Sequence, residues 1–339
     1  MRGGRPMNEL WVCPRCRGPL TATGDALACD ACDARFPLIG GPEGIPDFRL
    51  GELALDDLEA DREEAGELWT RFAGRRAEEF VHHVFASRAH WAPARAERRT
   101  REVLRAPARL EAQIDDWLRP AIDAPAPLLD IGCGPGGLLC AAAARGIEPI
   151  GIDTSLRWLM AARMLLQERG TRAHLAAAHA EALPLRDAGV GAVLSLDVIE
   201  HVGSPGRMLA EVDRVTGNGA VFLFSTPNRF SLAAEPHVGV WGVGWLPRAW
   251  QAPYVEWRKG DPYDGTKLLS SWEIARLVES STHFTLRVDT PRIPEDEIVG
   301  FPPYRATLAR LYNGAVSLAA LRPAWLAVAP FFRAICRKP

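Results

Sequence analysis

"PLLDIGCGPGGLLCAAAARGIEPIGIDTS", residues 127–155, is the stretch on which the reading of this chain turns. An apolar run ends in Asp130, glycines follow at 132, 134, 136 and 137, an alanine-rich helical segment comes next, and a second apolar run ends in Asp153. Gly132, Gly134 and Gly137 satisfy G-x-G-x-x-G, and Asp153 stands at the interval expected of a carboxylate that holds a ribose hydroxyl. That pattern alone admits a nicotinamide dinucleotide. Asp130 argues against it. Two residues before the first glycine, an acid can accept hydrogen bonds from a cationic amino-acid group, whereas a pyrophosphate would meet like charge. Nothing downstream resembles the substrate chemistry of a dehydrogenase.

Outward from this loop, short apolar runs alternate with helical segments: "LLDI", "EPIGID", "RAHLA", "GAVLSL", "GAVFLFS", "FTLRVD" and "FFRAICRK". Strands joined by crossover helices have this rhythm, so an α/β fold with a mostly parallel sheet of seven strands is expected. The chain has 339 residues, 47% hydrophobic and 24% charged, enough for two domains or one with large additions. A net charge of -2 argues against nucleic acid as the main partner, because phosphate neutralisation usually calls for a basic excess. The opening "MRGGRPMNELWVCPRC" has positive charge but no apolar core of a leader, so a cytoplasmic, reducing location is expected.

Four of the seven cysteines lie in "CPRCRGPLTATGDALACDAC". Cys13 and Cys16 form one C-x2-C pair, Cys29 and Cys32 the other, and two such knuckles place four thiolates around one tetrahedral zinc ion. Adjacent cysteines of this spacing close poorly on each other as disulfides. A four-thiolate site has no open position, so the zinc is structural, folding a segment too small to have its own core. Residues 1–50 are thus expected to form a zinc ribbon, residues 51–122 a helical linker or cap, and residues 123–339 the catalytic domain.

The helical segment carries apolar residues at helical spacing, among them Leu68, Trp69, Phe72, Phe80, Val84 and Phe85, with Pro93 and Pro107 expected to interrupt the helices that follow. Seven arginines between Ser87 and Leu110 face only Glu97 and Glu102, and a solvated face paired with the acids of residues 55–67 is the expectation. Residues 229–268 form an insertion rich in tryptophan. Trp241, Trp245, Trp250, Tyr254 and Trp257 are expected either to wall an acceptor pocket or to give the insertion its own core, and Glu235 and His237 are base candidates there. The apolar stretch 306–329 is interrupted by Arg310, Arg322 and Pro323. It is too short and broken to span a bilayer, so it either packs internally or meets a membrane or a lipid-linked substrate at the surface.

These motifs together resemble the class I S-adenosylmethionine-dependent methyltransferases, over roughly residues 125–230 and again from 270. "LLDIGCGPGG" is similar to that family's first motif, "GIDTS" to its second, "HAEALPL" (179–185) to the adenine-framing third and "LSLDVIEHV" (194–202) to the fourth, while "GNGAVFLFSTPN" resembles the fifth strand and its sequel. The resemblance implies a Rossmann-like sheet of order 3-2-1-4-5-7-6 whose last inserted strand is antiparallel. It also implies that Asp130 serves the cofactor's amino group, that Gly132, Gly134 and Gly136 let the chain approach it, and that Asp153 with Thr154 binds the ribose. His179, Ala180 and Glu181 would meet the adenine, and Asp197 would close the cofactor site. The family usually has Asp where His179 stands, so the acceptor for the adenine amine passes to the backbone or Glu181.

Asp197, Glu200 and His201 in "DVIEH" stand at i, i+3 and i+4, a spacing that brings side chains together on a helical turn. His201 is the candidate general base for an oxygen nucleophile, with Glu200 of the same motif and His237 of the insertion as further catalytic candidates. Alternatively, Asp197, Glu200 and His201 resemble the E-x-x-E-H metal site of ubiquinone-pathway O-methyltransferases, where a divalent cation would lower the acceptor's pKa. The leading expectation is a biosynthetic O-methyltransferase acting on a natural-product, glycan or isoprenoid acceptor. An RNA methyltransferase using the ribbon for recognition, and an inactive cofactor-binding scaffold, are the alternatives.

Overall fold

A computed structural model describes residues 10–54, 57–88, 91–117, 127–260 and 262–339. The expected boundary at 122–123 and the first nine residues, on which the leader argument partly rests, lie outside the described residues. The chain divides into two compact units. One comprises Met1–Ser195, Arg207–Phe222 and Lys338–Pro339, the other Leu196–Gly206 and Leu223–Arg337.

In the first unit, β1 (Leu20–Thr23), β2 (Ala26–Cys29), β3 (Arg35–Ile39) and β4 (Ile45–Pro46) form an antiparallel four-stranded sheet in chain order. Three helices follow: α1 (Leu58–Arg71), α2 (Ala77–Ala86) and α3 (Pro93–Trp117). Asp57 starts α1 by accepting hydrogen bonds from the N–H groups of Glu59 and Ala60, two donors that a helix start otherwise leaves unpaired. The expected break at Pro107 does not occur, since α3 runs through it. The proline removes one ladder bond, and packing of α3 along α4 (Gly137–Ala144) holds the helix together. The approach is close: a Cβ on Gly137 would lie 3.0 Å from Ala106 Cβ. Pro93 opens α3, where its missing N–H costs nothing.

Three arginines of α3 pair within their own helix, Arg99 and Arg98 with Glu102 and Arg101 with Glu97, where the expectation had the acids of residues 55–67 as partners. Residues three and four apart on a helix are neighbours, so the nearer partners win.

Then come β5 (Leu128–Ile131), α4, β6 (Pro149–Asp153), α5 (Leu156–Glu168), β7 (His174–Ala177), β8 (Val190–Leu196), α6 (Pro205–Val215) and β9 (Thr216–Pro227). The runs of Leu, Ile and Val are buried along their whole length in β5, which pairs in parallel with β6 and β8, Asp130 opposite Gly151 and Leu194. Phe80 and Val81 of α2, Leu139 of α4 and Leu156 and Leu159 of α5 are fully buried in one cluster, each contributing about 1.5–3 kcal/mol by burial.

The ribbon's tail is stitched to β7: Asp47 pairs with Ala177, and the Phe48 N–H donates to the Ala177 carbonyl at 2.7 Å. The Val12 N–H donates to the Pro184 carbonyl, and Trp11, Phe36 and Phe48 pack ring on ring.

The second unit holds α7 (Arg248–Lys259), α8 (Ser271–Ser281), β10 (Thr285–Asp289), α9 (Glu295–Ile298), α10 (Pro303–Ala315), α11 (Arg322–Val328) and β11 (Phe331–Arg337). Ser270 and Glu273 cap α8 reciprocally. The seven strands of the large sheet run in the order β10-β11-β9-β8-β5-β6-β7, which is 3-2-1-4-5-7-6 counted from β5, with β10 and β11 antiparallel. The expected fold is therefore present.

The insertion departs in part from expectation. Its small core consists of Val240, Val243, Val255 and Tyr263 with Tyr254 packed against it, as one of the two expectations had it, while Trp241, Trp245, Trp250 and Trp257 are exposed and lie outside that core. The reason is geometric. Helix α7 buries the face of Gln251 and Val255, which turns Trp250 and Trp257, seven residues apart, the other way. Among the described residues no helix is long and apolar enough to cross a membrane.

Gly136 carries a stability prediction. It stands in the left-handed region at φ 76° just before α4, and a Cβ there would come 2.7 Å from Ala162 Cβ. Gly136→Ala is expected to cost about 2–4 kcal/mol, left-handed strain plus overpacking, read as a lower denaturant midpoint at unchanged slope.

Candidate functional site

In the ribbon, Cys13, Cys16, Cys29 and Cys32 bring their sulfurs within 4.8 Å of one another. Cys13 and Cys32 lie 3.6 Å apart, Cys16 and Cys29 3.4 Å, and none is in a disulfide. A Cβ on Gly18 would press on Ala31 at 2.8 Å and on the Cys29 and Cys16 sulfurs at 3.2 and 3.3 Å, so the knuckle closes only around glycine. Four thiols so arranged fit a tetrahedral zinc ion.

The glycine loop follows β5. Gly132, Gly134 and Gly136 all have positive φ, a conformation glycine adopts without steric cost. The Gly134 N–H donates to Asp153 Oδ2 and the Ser155 N–H to Oδ1, both at 2.8 Å, so the loop and the tip of β6 are tied through one carboxylate. Asp130 is 4% exposed, and burial, with the charge of Asp153, pushes its carboxyl up to about 7. Burial also raises Asp153, against the N–H groups of Ser155, Gly134 and Thr154. The Arg49 charge eases Asp153, whereas Asp130 has no such compensation and a cationic ligand would supply it. The amino group of S-adenosylmethionine fits that need, and the second acid fits a ribose diol.

His179 is buried, and its Nδ1 accepts from the Leu50 N–H at 3.3 Å, so the ribbon's tail holds the ring. Burial lowers its pKa and keeps it neutral. Ala180 and Glu181 are buried beside it, and Thr154 is exposed. Sequence reasoning missed Asp47 and Arg49, whose ion pair is buried next to this loop; an acid and a base two apart directly after β4 were the available signal.

Asp197 belongs to the second unit, where it is exposed, accepts from Ser225 Oγ at 2.9 Å, and has φ 56°. Residues 197–204 form turns, not a helix, so the i, i+3, i+4 argument does not hold there. The group that the fold brings together is Glu200, His201 and His237, whose ligand atoms lie within 4.8 Å of one another; this replaces the expected trio with Asp197.

His201 Nδ1 lies 3.2 Å from the Gly265 carbonyl and therefore carries a proton, which leaves Nε2 a lone pair in the neutral ring. That Nε2 is 3.1 Å from His237 Nε2. Two ring nitrogens this close need a proton or a cation between them. His237 Nδ1 donates to Glu235, an interaction that raises the His237 pKa, whereas burial lowers that of His201.

Glu200 is buried; its Oε2 accepts from Thr226 Oγ1 at 2.9 Å. Its Oε1, 3.9 Å from His237 Nε2, has no hydrogen-bond partner. Burial pushes this carboxyl up to about 7. Each of the three side chains thus has its outer atom oriented by a neighbour and its inner atom turned to one point, as ligands of a divalent cation are held.

A family model described as "Methyltransferase domain" matches residues 129–224. The ubiquinone biosynthesis O-methyltransferase of Maricaulis maris is 38% identical over 125 residues, 36% of this chain and 49% of the relative. That of Cereibacter sphaeroides is 36% identical over 127 residues, 36% of this chain and 50% of the relative. The chain spans about half the length of the curated relatives it matches. Among solved structures, phosphoethanolamine N-methyltransferase 2 of Haemonchus contortus with S-adenosyl-L-methionine aligns at 20% identity and TM-score 0.45, covering 67% of this chain and 52% of that one. Residues 129–224 are thus similar to a methyltransferase domain, and they lie in a seven-stranded sheet with the strand order expected from the class I S-adenosylmethionine-dependent methyltransferase resemblance.

Proposed function

We propose that the protein transfers a methyl group from S-adenosylmethionine to an oxygen of a small, lipid-like acceptor, with a divalent cation held by Glu200, His201 and His237. The observation that carries this reading is the partnerless buried Glu200 Oε1 beside two imidazole nitrogens 3.1 Å apart. Asp130 would hold the cofactor's ammonium, Asp153 its ribose, and the left-handed glycines would let backbone approach it. The bound cofactor supplies an electrophilic methyl group, and attack by a hydroxyl requires that its proton be lost.

A cation at the cluster would lower the hydroxyl's pKa. Glu235 and the Gly265 carbonyl keep the two rings with Nε2 inward, and Thr226 fixes the carboxylate. The oxygen and lipid-like character of the acceptor are supported by the relatives' function in ubiquinone biosynthesis, and the exposed Trp250 and Trp257 suit a protein working beside lipid. The ribbon would hold structural zinc.

The test is S-adenosylhomocysteine formation from S-adenosylmethionine with a catechol bearing an isoprenoid tail, compared with the tail-less catechol. Turnover of the tailed acceptor, lost with a chelator too weak to strip four-thiolate zinc and restored by magnesium, manganese or zinc, is expected. Turnover indifferent to that chelator would leave His201 as a base without a cation, and no turnover of any phenolic acceptor would reject O-methylation.

A further inference from the structure

We propose that Arg49 is a positioning residue through which the folded zinc ribbon sets the affinity of the ribose-side loop for the adenosyl cofactor. The inference rests on the reading that Asp153 and its loop hold that cofactor.

The Arg49 side chain is 5% exposed and its guanidinium is bonded on every side. Nε and Nη2 donate to the two oxygens of Asp47 at 2.9 and 2.8 Å, and Nη1 donates to Asp61 at 2.6 Å. The same Nη1 donates to the Thr154 carbonyl at 2.9 Å. Thr154 lies between Asp153 and Ser155, whose N–H binds Asp153 Oδ1, so the guanidinium fixes the peptide next to the ribose carboxylate. Leu50, the next residue, donates its N–H to His179 on the adenine side. Two consecutive residues of the ribbon's tail therefore touch both cofactor motifs.

The tail's own position comes from the ribbon. Leu38 and Ile39 of β3 pair with Pro46 and Ile45, the Asp47 N–H donates to the Pro37 carbonyl, and the knuckles close β2 and β3 from the other end. Asp47 is fully buried and shared between Arg49 and Arg62. A buried ion pair of this kind contributes little net stability compared with apolar residues of the same volume, so stability alone does not account for it. Its planar fork does what an apolar side chain cannot: it holds a carboxylate and a carbonyl at fixed angles at once.

The experiment uses the full-length, zinc-loaded protein and calorimetric titration with S-adenosylhomocysteine. Arg49→Lys, which can satisfy Asp47 or Thr154 but not both, is expected to weaken binding at least about tenfold at unchanged zinc content. Arg62→Ala removes the other arginine on Asp47 without touching Thr154, and is expected to change binding less than about threefold. Equal losses in both variants, or unchanged affinity in Arg49→Lys, overturn the proposal. Coupling is reciprocal, so bound S-adenosylhomocysteine should raise the chelator concentration that removes half the ribbon's zinc in the wild type. Absence of that protection overturns the proposal even if Arg49→Lys does not fold. Failure of the wild type to bind S-adenosylhomocysteine at all rejects the cofactor reading itself.

Discussion

Asp130→Asn is expected to weaken S-adenosylhomocysteine binding at pH 8 by at least about 100-fold while making the ligand-free protein more stable. The two effects have one cause. Burial and the charge of Asp153 raise the Asp130 carboxyl from 3.8 to about 7, so above neutrality the empty protein holds an uncompensated buried anion. A carboxyl whose folded pKa is raised contributes stability that is present below its unfolded pKa and lost as pH rises through its folded pKa. The shift of about 3 units corresponds to up to about 4 kcal/mol lost between about pH 4 and 7. Asparagine escapes that loss, so its stability advantage should grow across this range and level off above it. The same residue removes the partner of the ligand's ammonium, and a buried ion pair broken on one side costs about 3–5 kcal/mol. Below pH 7, binding to the wild type should release a proton, visible as a dependence of the calorimetric heat on the buffer's ionisation enthalpy. A variant with wild-type affinity and no stability gain at pH 8 would remove Asp130 from the cofactor site.

Glu200→Gln is expected to lower turnover by about 10²–10⁴-fold with S-adenosylhomocysteine affinity within about threefold of wild type. Glutamine keeps an oxygen for Thr226 but removes the negative charge of the partnerless Oε1, the feature that suits a cation or an acceptor proton. His237→Gln should behave alike, because Glu235 holds that ring for the same point. Asp197→Asn is the control: its carboxylate serves Ser225, and turnover should stay within about threefold. Loss of turnover in Asp197→Asn as deep as in Glu200→Gln would restore the trio read from the sequence and remove the one found in the fold. Single-turnover kinetics would show whether the chemical step itself is slowed.

What was legible in the sequence was what local pattern encodes. The apolar runs give the central strands β5, β6 and β8 because a strand buried on both faces has little choice of residue type, and the glycine loop is legible because left-handed backbone selects glycine. The cysteine knuckles are legible because a tetrahedral ion dictates spacing. The juxtaposition of His201 with His237 is not, since 36 residues separate them and the chain between is irregular. "DVIEH" reads as a helical turn by spacing, yet Asp197 takes a left-handed conformation and the five residues do not present one face. The contact from Arg49 to Thr154 spans 105 positions, and no local rule foretells it. The tryptophans misled for a different reason: composition reports apolar area but not which side of a short helix receives the core.

The insertion of β11 between β9 and β10 has a consequence for synthesis on the ribosome. Strand β10 pairs with β11 through five residues, Thr285–Asp289 against Arg333–Arg337, and β11 follows it in the chain by more than forty positions. At roughly 5–20 residues per second, β10 waits some seconds with its pairing edge unfilled. The ribbon, helices and first five strands of the sheet can assemble while translation continues, whereas the outer pair docks only once its later-made member has cleared the exit tunnel. A nascent chain stalled before Phe331 should therefore resist protease across the early strands and be cut near Thr285.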